Sequence, residues 1–333
     1  MAQPGWTVHV ASGTYNEDVT FSASGTATSR IRFISDTRWG AKVVGVSSNI
    51  VLRVNGNYVD VMGFEVVGAL SSQIGVATYA HDAQIVGNKV HDTPAAGSTL
   101  GCFAGAGIFI GTGSLAATTN VGSNLVDSNY VYNVGLFPLV CNQAHGIYVG
   151  TPKNTVTNNI VFRCQAYGIH IYGHTTNETV VNNTAFNNGK SGIIISSDGT
   201  IVDDNTTVNN NIAVNNGVTL AASGIQEESY PSGYIGTHNV YSNNLTFGSS
   251  AGGYSLAIST PIAPLTSGTN SSVFVNYTGD QTGDYHLQSG SPAMGAGTSS
   301  AAPLTDFDGR PRSAGWDIGA YEWSSAPAVW PWQ

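Results

Sequence analysis

Charge is what this chain of 333 residues has least of: only 9% of it is Asp, Glu, Lys or Arg. Eleven basic residues stand against 20 acidic ones, for a formal net charge of -9. Phosphate binding needs a basic stripe, so this balance argues against nucleic acid as a partner. No apolar run approaches the roughly 20 residues of a membrane span. A signal peptide is missing too: the chain opens directly on MAQPGWTVHV, which reads as the start of an exported chain without its export signal. Low charge beside 41 glycines and many Ser, Thr and Asn would suggest disorder, but 41% of the residues are hydrophobic and they recur at regular intervals.

That regularity is a repeat. Gln165–Gly173 reads QAYGIHIYG, and the same pattern returns as AGIFIG at Ala106–Gly111, HGIYVG at His145–Gly150, SGIIIS at Ser191–Ser196 and SGIQEE at Ser223–Glu228, with a weaker copy, IGVATY, at Ile74–Tyr79. The glycines fall at 75, 107, 146, 168, 192 and 224, so the spacings are 32, 39, 22, 24 and 32 residues. A short unit of about two dozen residues with occasional insertions is what a solenoid produces.

A second column runs in phase with the first. GNKVHD, SNYVYN, NNIVFR, NNTAFN and NNIAVN begin at 87, 128, 158, 182 and 210, and SNNLTF at Ser242–Phe247 continues them. Each is a short alternating segment opened by an Asn that tolerates the left-handed turn conformation. Two short strands per turn, stacked on their counterparts, describe an all-β, single-chain, right-handed parallel β-helix. Stacked asparagines would hydrogen-bond along its axis. We expect one domain over 1–333, with first rungs in 1–68, regular rungs in 69–247, and an irregular rung and C-terminal cap in 248–333.

The register also makes the cysteines informative. Cys102 and Cys141 each lie five residues before their column glycine on consecutive turns, whereas Cys164 lies four before its own. Equivalent positions on adjacent turns are about 4.8 Å apart, within disulfide reach. The expectation is a Cys102–Cys141 bridge with Cys164 free, as an exported protein would carry; the alternative is three buried thiols.

The two ends carry a resemblance. GWTVHVASGTYNEDVTF near the start resembles the first rung of the pectate-lyase-like right-handed β-helix superfamily. SGSPAMGAG followed by DFDGRPRSAGWDIGAYEW resembles the C-terminal motif of bacterial exported β-helix proteins often found beside variable cell-surface anchors, with Gly295 where that motif usually has Asp. The resemblance implies a secreted or cell-surface protein acting on polysaccharide. Physically, Asp306, Asp308, Arg310, Arg312, Asp317 and Glu322 concentrate charge in a cluster that can neutralise itself, while Trp316, Ile318, Tyr321 and Trp323 cover the final turn. The opening has no amphipathic helix to close the other end, which something must cover. The tail SSAPAVWPWQ reads as a cap extension or a mobile end.

Alternation along the Gly-Ile strands assigns directions. Ile108, Ile110, Ile147, Val149, Ile169, Ile171, Ile193 and Ile195 point inward. Phe109, Tyr148, His170 and Gln226 then point outward, with Tyr79, Tyr172 and Glu228 two positions further along. Phe109, Tyr148, His170 and Tyr172 would form a contiguous exposed patch over three turns, of the kind that marks a ligand surface. The long connections Thr93–Ala106 and Val134–His145 would rise as walls beside it. His145 occupies a position filled by Ala106, Tyr167, Ser191 and Ser223 in other turns, so no packing demand calls for it. Arg163, Lys190 and Asp92 sit near the same part of the turn, and Glu227–Glu228 is an unusually polar strand end.

Three functions follow. β-Elimination on a uronic-acid-containing glycan needs a base, a cation for the carboxylate and an acid for the leaving oxygen. His145 or His170 is the candidate base, Arg163 the cation and Tyr148 or Tyr172 the acid, with Phe109, Tyr79, Lys190, Asp92, Gln226, Glu227 and Glu228 as substrate contacts. A glycosidase would use two carboxylates from among Asp92, Glu227 and Glu228. A non-catalytic glycan-binding or adhesive protein would use the aromatic patch as a platform. The negative charge calls for Ca²⁺ or a local basic cleft beside an acidic polymer; Asp203–Asp204 offers oxygen ligands for Ca²⁺. A monomer is expected.

Overall fold

The computed structural model describes residues 2–112, 122–312 and 315–324; the rest of the tail considered above, 325–333, lies outside them. Three parallel sheets of nine strands each form the sides of a continuous coil, with successive strands of one sheet coming from successive turns. The column glycines share the third sheet, in which Ala144–Val149 pairs with Gly105–Ile110 on one side and Ile169–Tyr172 on the other.

Each turn thus has three strands, not the two columns visible in the sequence. In the regular rungs the additional sheet is built from three-residue strands such as Leu125–Asp127, Thr155–Thr157 and Thr179–Val181, which lie immediately before the asparagine corner. Their brevity hides any period.

The corner divides its labour between two residues. The first takes positive φ (Ser128 54°, Asn158 53°, Asn182 58°, Asn210 54°), a region that Asn enters more readily than most residues. The second stacks as expected. Asn88, Asn129, Asn159, Asn183, Asn211 and Asn244 form a ladder in which each Nδ2 donates to the next turn's Oδ1 at 3.0–3.1 Å. The ladder satisfies amides that would otherwise be costly to bury.

The inward residues of the Gly-Ile strands are completely buried, each contributing roughly 1.5–3 kcal/mol relative to exposure. The glycines themselves mark a close approach: a Cβ on Gly168 would lie 2.6 Å from the Gly192 carbonyl oxygen and 2.7 Å from the Asn188 side chain. Cys102 and Cys141 are bridged across adjacent turns with Cα atoms 5.3 Å apart, and Cys164 is free and buried.

The charged C-terminal segment covers a different surface from the one expected. The last turn is followed by an irregular rung in which Ile262 and Leu265 bridge to Ser242 and Leu245. The chain then doubles back along the outer face of the second sheet. There Phe274, Tyr285, Phe307, Ile318 and Tyr321 form a second core with Tyr132, Phe162, Phe186 and Val214. Phe162 and Phe186 point outward on their strands, so without this strap their rings would face water. Arg312 fastens it, donating to Asn158 Oδ1 at 2.8 Å, the Gly319 and Ala320 carbonyls, and Glu322 at 3.2 Å. Trp316 is only half-buried and Trp323 is exposed. At the opposite end Ala2, Val19, Phe21 and Phe33 line an open apolar hollow of about 390 Å³.

Candidate active site

On the outer face of the third sheet, one column carries Arg53, Ala77, Phe109, Tyr148, His170, Ile194 and Gln226 in register. Strand alternation turns all of these side chains away from the core. Over the middle of the column lies a groove of about 700 Å³, bordered on one side by Ala104, Asn142 and Gln143 from the ends of the two long connections. The Cys102–Cys141 bridge ties those connections together.

Aromatic rings form the floor. Phe109 and Tyr148 stack in parallel at 5.2 Å. Tyr79 continues the row beyond Phe109 at 5.8 Å, and Tyr172 stands edge-on to Tyr148 at 6.4 Å. Tyr167, not singled out in the sequence, closes the other side at 4.7 Å from the His170 ring. Stacked rings with polar edges suit the apolar faces and peripheral hydroxyls of sugars.

Beneath the rings lies a coupled imidazole pair. His170 and His145 are both almost completely buried, which corrects the expectation that His170 is exposed: Tyr148, Tyr167 and Tyr172 close over it. The hydrogen bonds define the tautomers. Ser196 donates its hydroxyl proton to the Ile171 carbonyl at 3.2 Å, so it accepts from His170 Nε2–H at 3.1 Å. His170 Nδ1 is then an acceptor and receives the proton of His145 Nε2 at 3.3 Å. That leaves His145 Nδ1 with a buried lone pair and, among the described residues, no hydrogen-bond partner. Burial, and secondarily the charge of Lys190, lowers the His145 pKa to about 3. Burial and the neighbouring His145 push His170 well below its ordinary value. Both rings are neutral near pH 7, as the chain of bonds requires.

Lys190 brings positive charge to the groove. Its ammonium sits 4.5 Å over the Tyr167 ring and donates to Asn142 Oδ1 at 2.7 Å. Burial lowers its pKa against the opposing pull of Glu228. Glu228 also lines the groove and accepts from Gln226 Nε2 at 3.0 Å. Burial raises the Tyr148 pKa, keeping the phenol protonated; its hydroxyl donates to the Tyr172 carbonyl at 3.5 Å.

Five residues expected in the groove do not line it: Tyr79 and Gln226 stand beside it on the same face, whereas Arg163, Asp92 and Glu227 lie elsewhere. Arg163 and Asp92 belong to the corner after the second sheet, where Asp92, Asn133, Arg163, Asn187 and Asn215 all take positive φ. They are chained there by side-chain bonds: Arg163 Nε donates to Asn133 Oδ1 at 3.0 Å, and Asn133 Nδ2 to Asp92 Oδ1 at 2.9 Å. Glu227 follows Ile195 in the inward column, so it faces away from Glu228 and accepts from Ser259 and the Ile258 amide. The proposed carboxylate pair is therefore split across the strand. Asp203 and Asp204 diverge in the same way, Asp203 to Thr175 and Thr206, Asp204 to His238. Among the described residues no three His, Cys, Asp or Glu side chains converge as a metal site, and no helix is long and apolar enough to cross a membrane.

Three stacked parallel sheets with a groove on one flank define a β-solenoid with a surface cleft. Residues 74–259, more than half of the chain, match the family model described as right handed beta helix region, and the chain belongs to that family. Solved structures agree. It is similar to the pectate lyase Pel9A, with a TM-score of 0.61 at 14% identity over 96% of this chain and 88% of that one. It is similar also to an alginate lyase from Paenibacillus sp. str. FPU-7, at 0.52 and 19% identity over 79% and 92%. A rhamnogalacturonan lyase matches at 0.53 and 13% identity over 83% and 84%. At such identities the likeness is one of fold. No curated protein matches the chain in sequence.

Proposed function

We propose that the chain is an exported carbohydrate-active enzyme that cleaves a uronic-acid-containing glycan by β-elimination in the third-sheet groove. The observation that carries this reading is the meeting, over one aromatic floor, of a neutral imidazole with a free lone pair, a lysine and a protonated phenol. The three fold relatives described above are all named as polysaccharide lyases, and the Cys102–Cys141 bridge suits an oxidising compartment.

In this reading Lys190 replaces Arg163 as the cation that pairs with the uronate. The proton next to the carboxylate leaves to His145 Nδ1. Its electron pair becomes a carbon–carbon double bond as the bond to the β-oxygen breaks, and that oxygen takes its proton from Tyr148. The proton on His145 returns to Tyr148 through solvent. A base with a pKa near 3 is weak, and catalysis favours a value near the working pH. Substrate supplies the correction: a carboxylate paired with Lys190 cancels part of what depresses His145 and adds an anion that favours the imidazolium. Because Nδ1 is covered, a sugar reaches it only when the groove wall shifts; catalytic contacts often tighten only in the substrate complex.

A hydrolase is less well supported, since of Asp92, Glu227 and Glu228 only the last lines the groove. A purely binding protein remains the second reading, favoured by the depressed basicity of the histidines. Screening acidic and neutral glycans separates the three. An ultraviolet-absorbing unsaturated product supports elimination, reducing ends without it hydrolysis, and affinity without either a binding platform.

A further inference from the structure

We infer that the groove selects a glycan in which each acidic residue is flanked by uncharged residues, rather than a polymer charged at every unit. The inference rests on the proposed third-sheet groove as the glycan site, and it deepens that reading by naming the substrate class.

Cations are scarce on this face. The sequence contains 11 Lys and Arg residues, all among the described ones, and of these Lys190 alone lines the groove. Most of the others are committed to distant partners. Arg30 and Arg32 pair with Asp60, Lys42 and Lys89 with Glu65, and Arg310 and Arg312 with Asp308 and Glu322. Arg38 lies between Trp39 and Phe307, and Arg163 lies over Phe137.

The next cation on the face is Arg53, stacked over Tyr79. Its strand lies four positions from that of His170 in the third sheet, about 19 Å away at the usual strand spacing. Between the two cations lie Phe109 and Tyr148 in the groove and Tyr79 beyond it on the same face, which offer ring faces and no compensating charge. Glu228, at the Lys190 end, repels further carboxylates.

A fully charged uronan would therefore bury several carboxylates against aromatic rings with one ammonium to receive them. Burying a charge without a partner is costly, and the net charge of -9 adds a general repulsion. A glycan with uncharged neighbours avoids both penalties. Those neighbours can be neutral sugars or uronates masked as methyl esters, which present the same uncharged faces.

Binding to the His145→Ala variant, where turnover is suppressed, tests this by calorimetry with four oligosaccharides of equal length at one ionic strength. The set is a homo-oligouronate, a partly methyl-esterified one, an alternating uronate–neutral chain and a wholly neutral chain. We expect the alternating or the partly esterified chain to bind at least about 10-fold tighter than the homo-oligouronate, the better of the two identifying the source of the uncharged units. Lys190→Met should erase the advantage of that ligand over the neutral chain. Equal or tighter binding of the homo-oligouronate would overturn the inference, as would neutral binding that matches the best acidic ligand. Because affinity is the readout, these outcomes stand apart from whether the wild-type protein yields an unsaturated product, which tests elimination itself.

Discussion

His145 and His170 meet edge to face, their ring centres 4.5 Å apart and Nε2 of the first 3.3 Å from Nδ1 of the second. Among the described residues neither ring contacts a carboxylate, so burial dominates and the basicity of both is lowered. This relationship fixes both which nitrogen is free to act and the acidity range in which it can do so.

The pH dependence follows with a definite sign. An imidazole of ordinary pKa 6.5 would be protonated and inactive as a base at pH 5, whereas His145, lowered to about 3, stays neutral there. kcat/KM, which reports the free enzyme, should therefore show no histidine-type loss between pH 7 and 5. A fall centred near 6.5 would contradict the assignment. The same shift bears on stability. Between pH 6.5 and about 3 the unfolded chain binds a proton at this site that the folded one does not, so the contribution to stability is lost as pH falls through that window. His145→Gln should flatten this part of the Tm–pH curve, and an unchanged slope would show that His145 titrates normally.

Ser196 lines the groove and accepts from His170 Nε2 at 3.1 Å, so in the proposed mechanism it is a positioning residue for the imidazole pair. Ser196→Ala removes the acceptor that holds the Nε2–H tautomer, and losing an imidazole's orienting partner is costly in turnover. We expect kcat to drop by about 10-fold or more with KM nearly unchanged. A merely structural serine would instead shift Tm and leave kcat alone.

Arg163 offers the opposite test. It holds a positive φ of 54° at a corner where the neighbouring turns use Asn133, Asn187 and Asn215. Arg163→Asn should keep full activity, and relief of the unfavourable backbone should hold or raise stability by about 0.5–1 kcal/mol. A large loss of turnover would return Arg163 to the site.

Phe186 probes the strap. It is fully buried, stacked on Phe162 at 4.8 Å and in contact with Tyr285 at 4.3 Å. Phe186→Ala should cost about 3–5 kcal/mol in denaturant unfolding. A cost below about 1 kcal/mol would mean that the C-terminal segment contributes little as a second core.

The glycine, asparagine and cysteine columns were legible in the sequence because each obeys a positional demand that recurs every turn. A Cβ does not fit at Gly168, the amide ladder requires Asn at one corner, and five residues before the column glycine Cys102 and Cys141 meet. Phe109, Tyr148 and Tyr172 were legible for the same reason, as departures in a known register. The third strand was not, because three residues such as Thr155–Thr157 carry no measurable period. Nor was the exclusion of Arg163 and Asp92: proximity along a turn does not reveal on which side of a corner a side chain falls. Glu227 falls between the outward Gln226 and Glu228, so strand alternation turns it inward. The burial of His170 depends on Tyr167 from a neighbouring column, a tertiary fact without local signature.

Elimination in this groove is tested by the rate of unsaturated-product formation by His145→Ala and Tyr148→Phe on a uronate glycan that the parent cleaves, with binding of the same glycan measured in parallel. Turnover should fall by roughly 10²–10⁴-fold in each, with affinity within several-fold of the parent and folding intact. Full activity in both variants would contradict it and move the chemistry out of this groove.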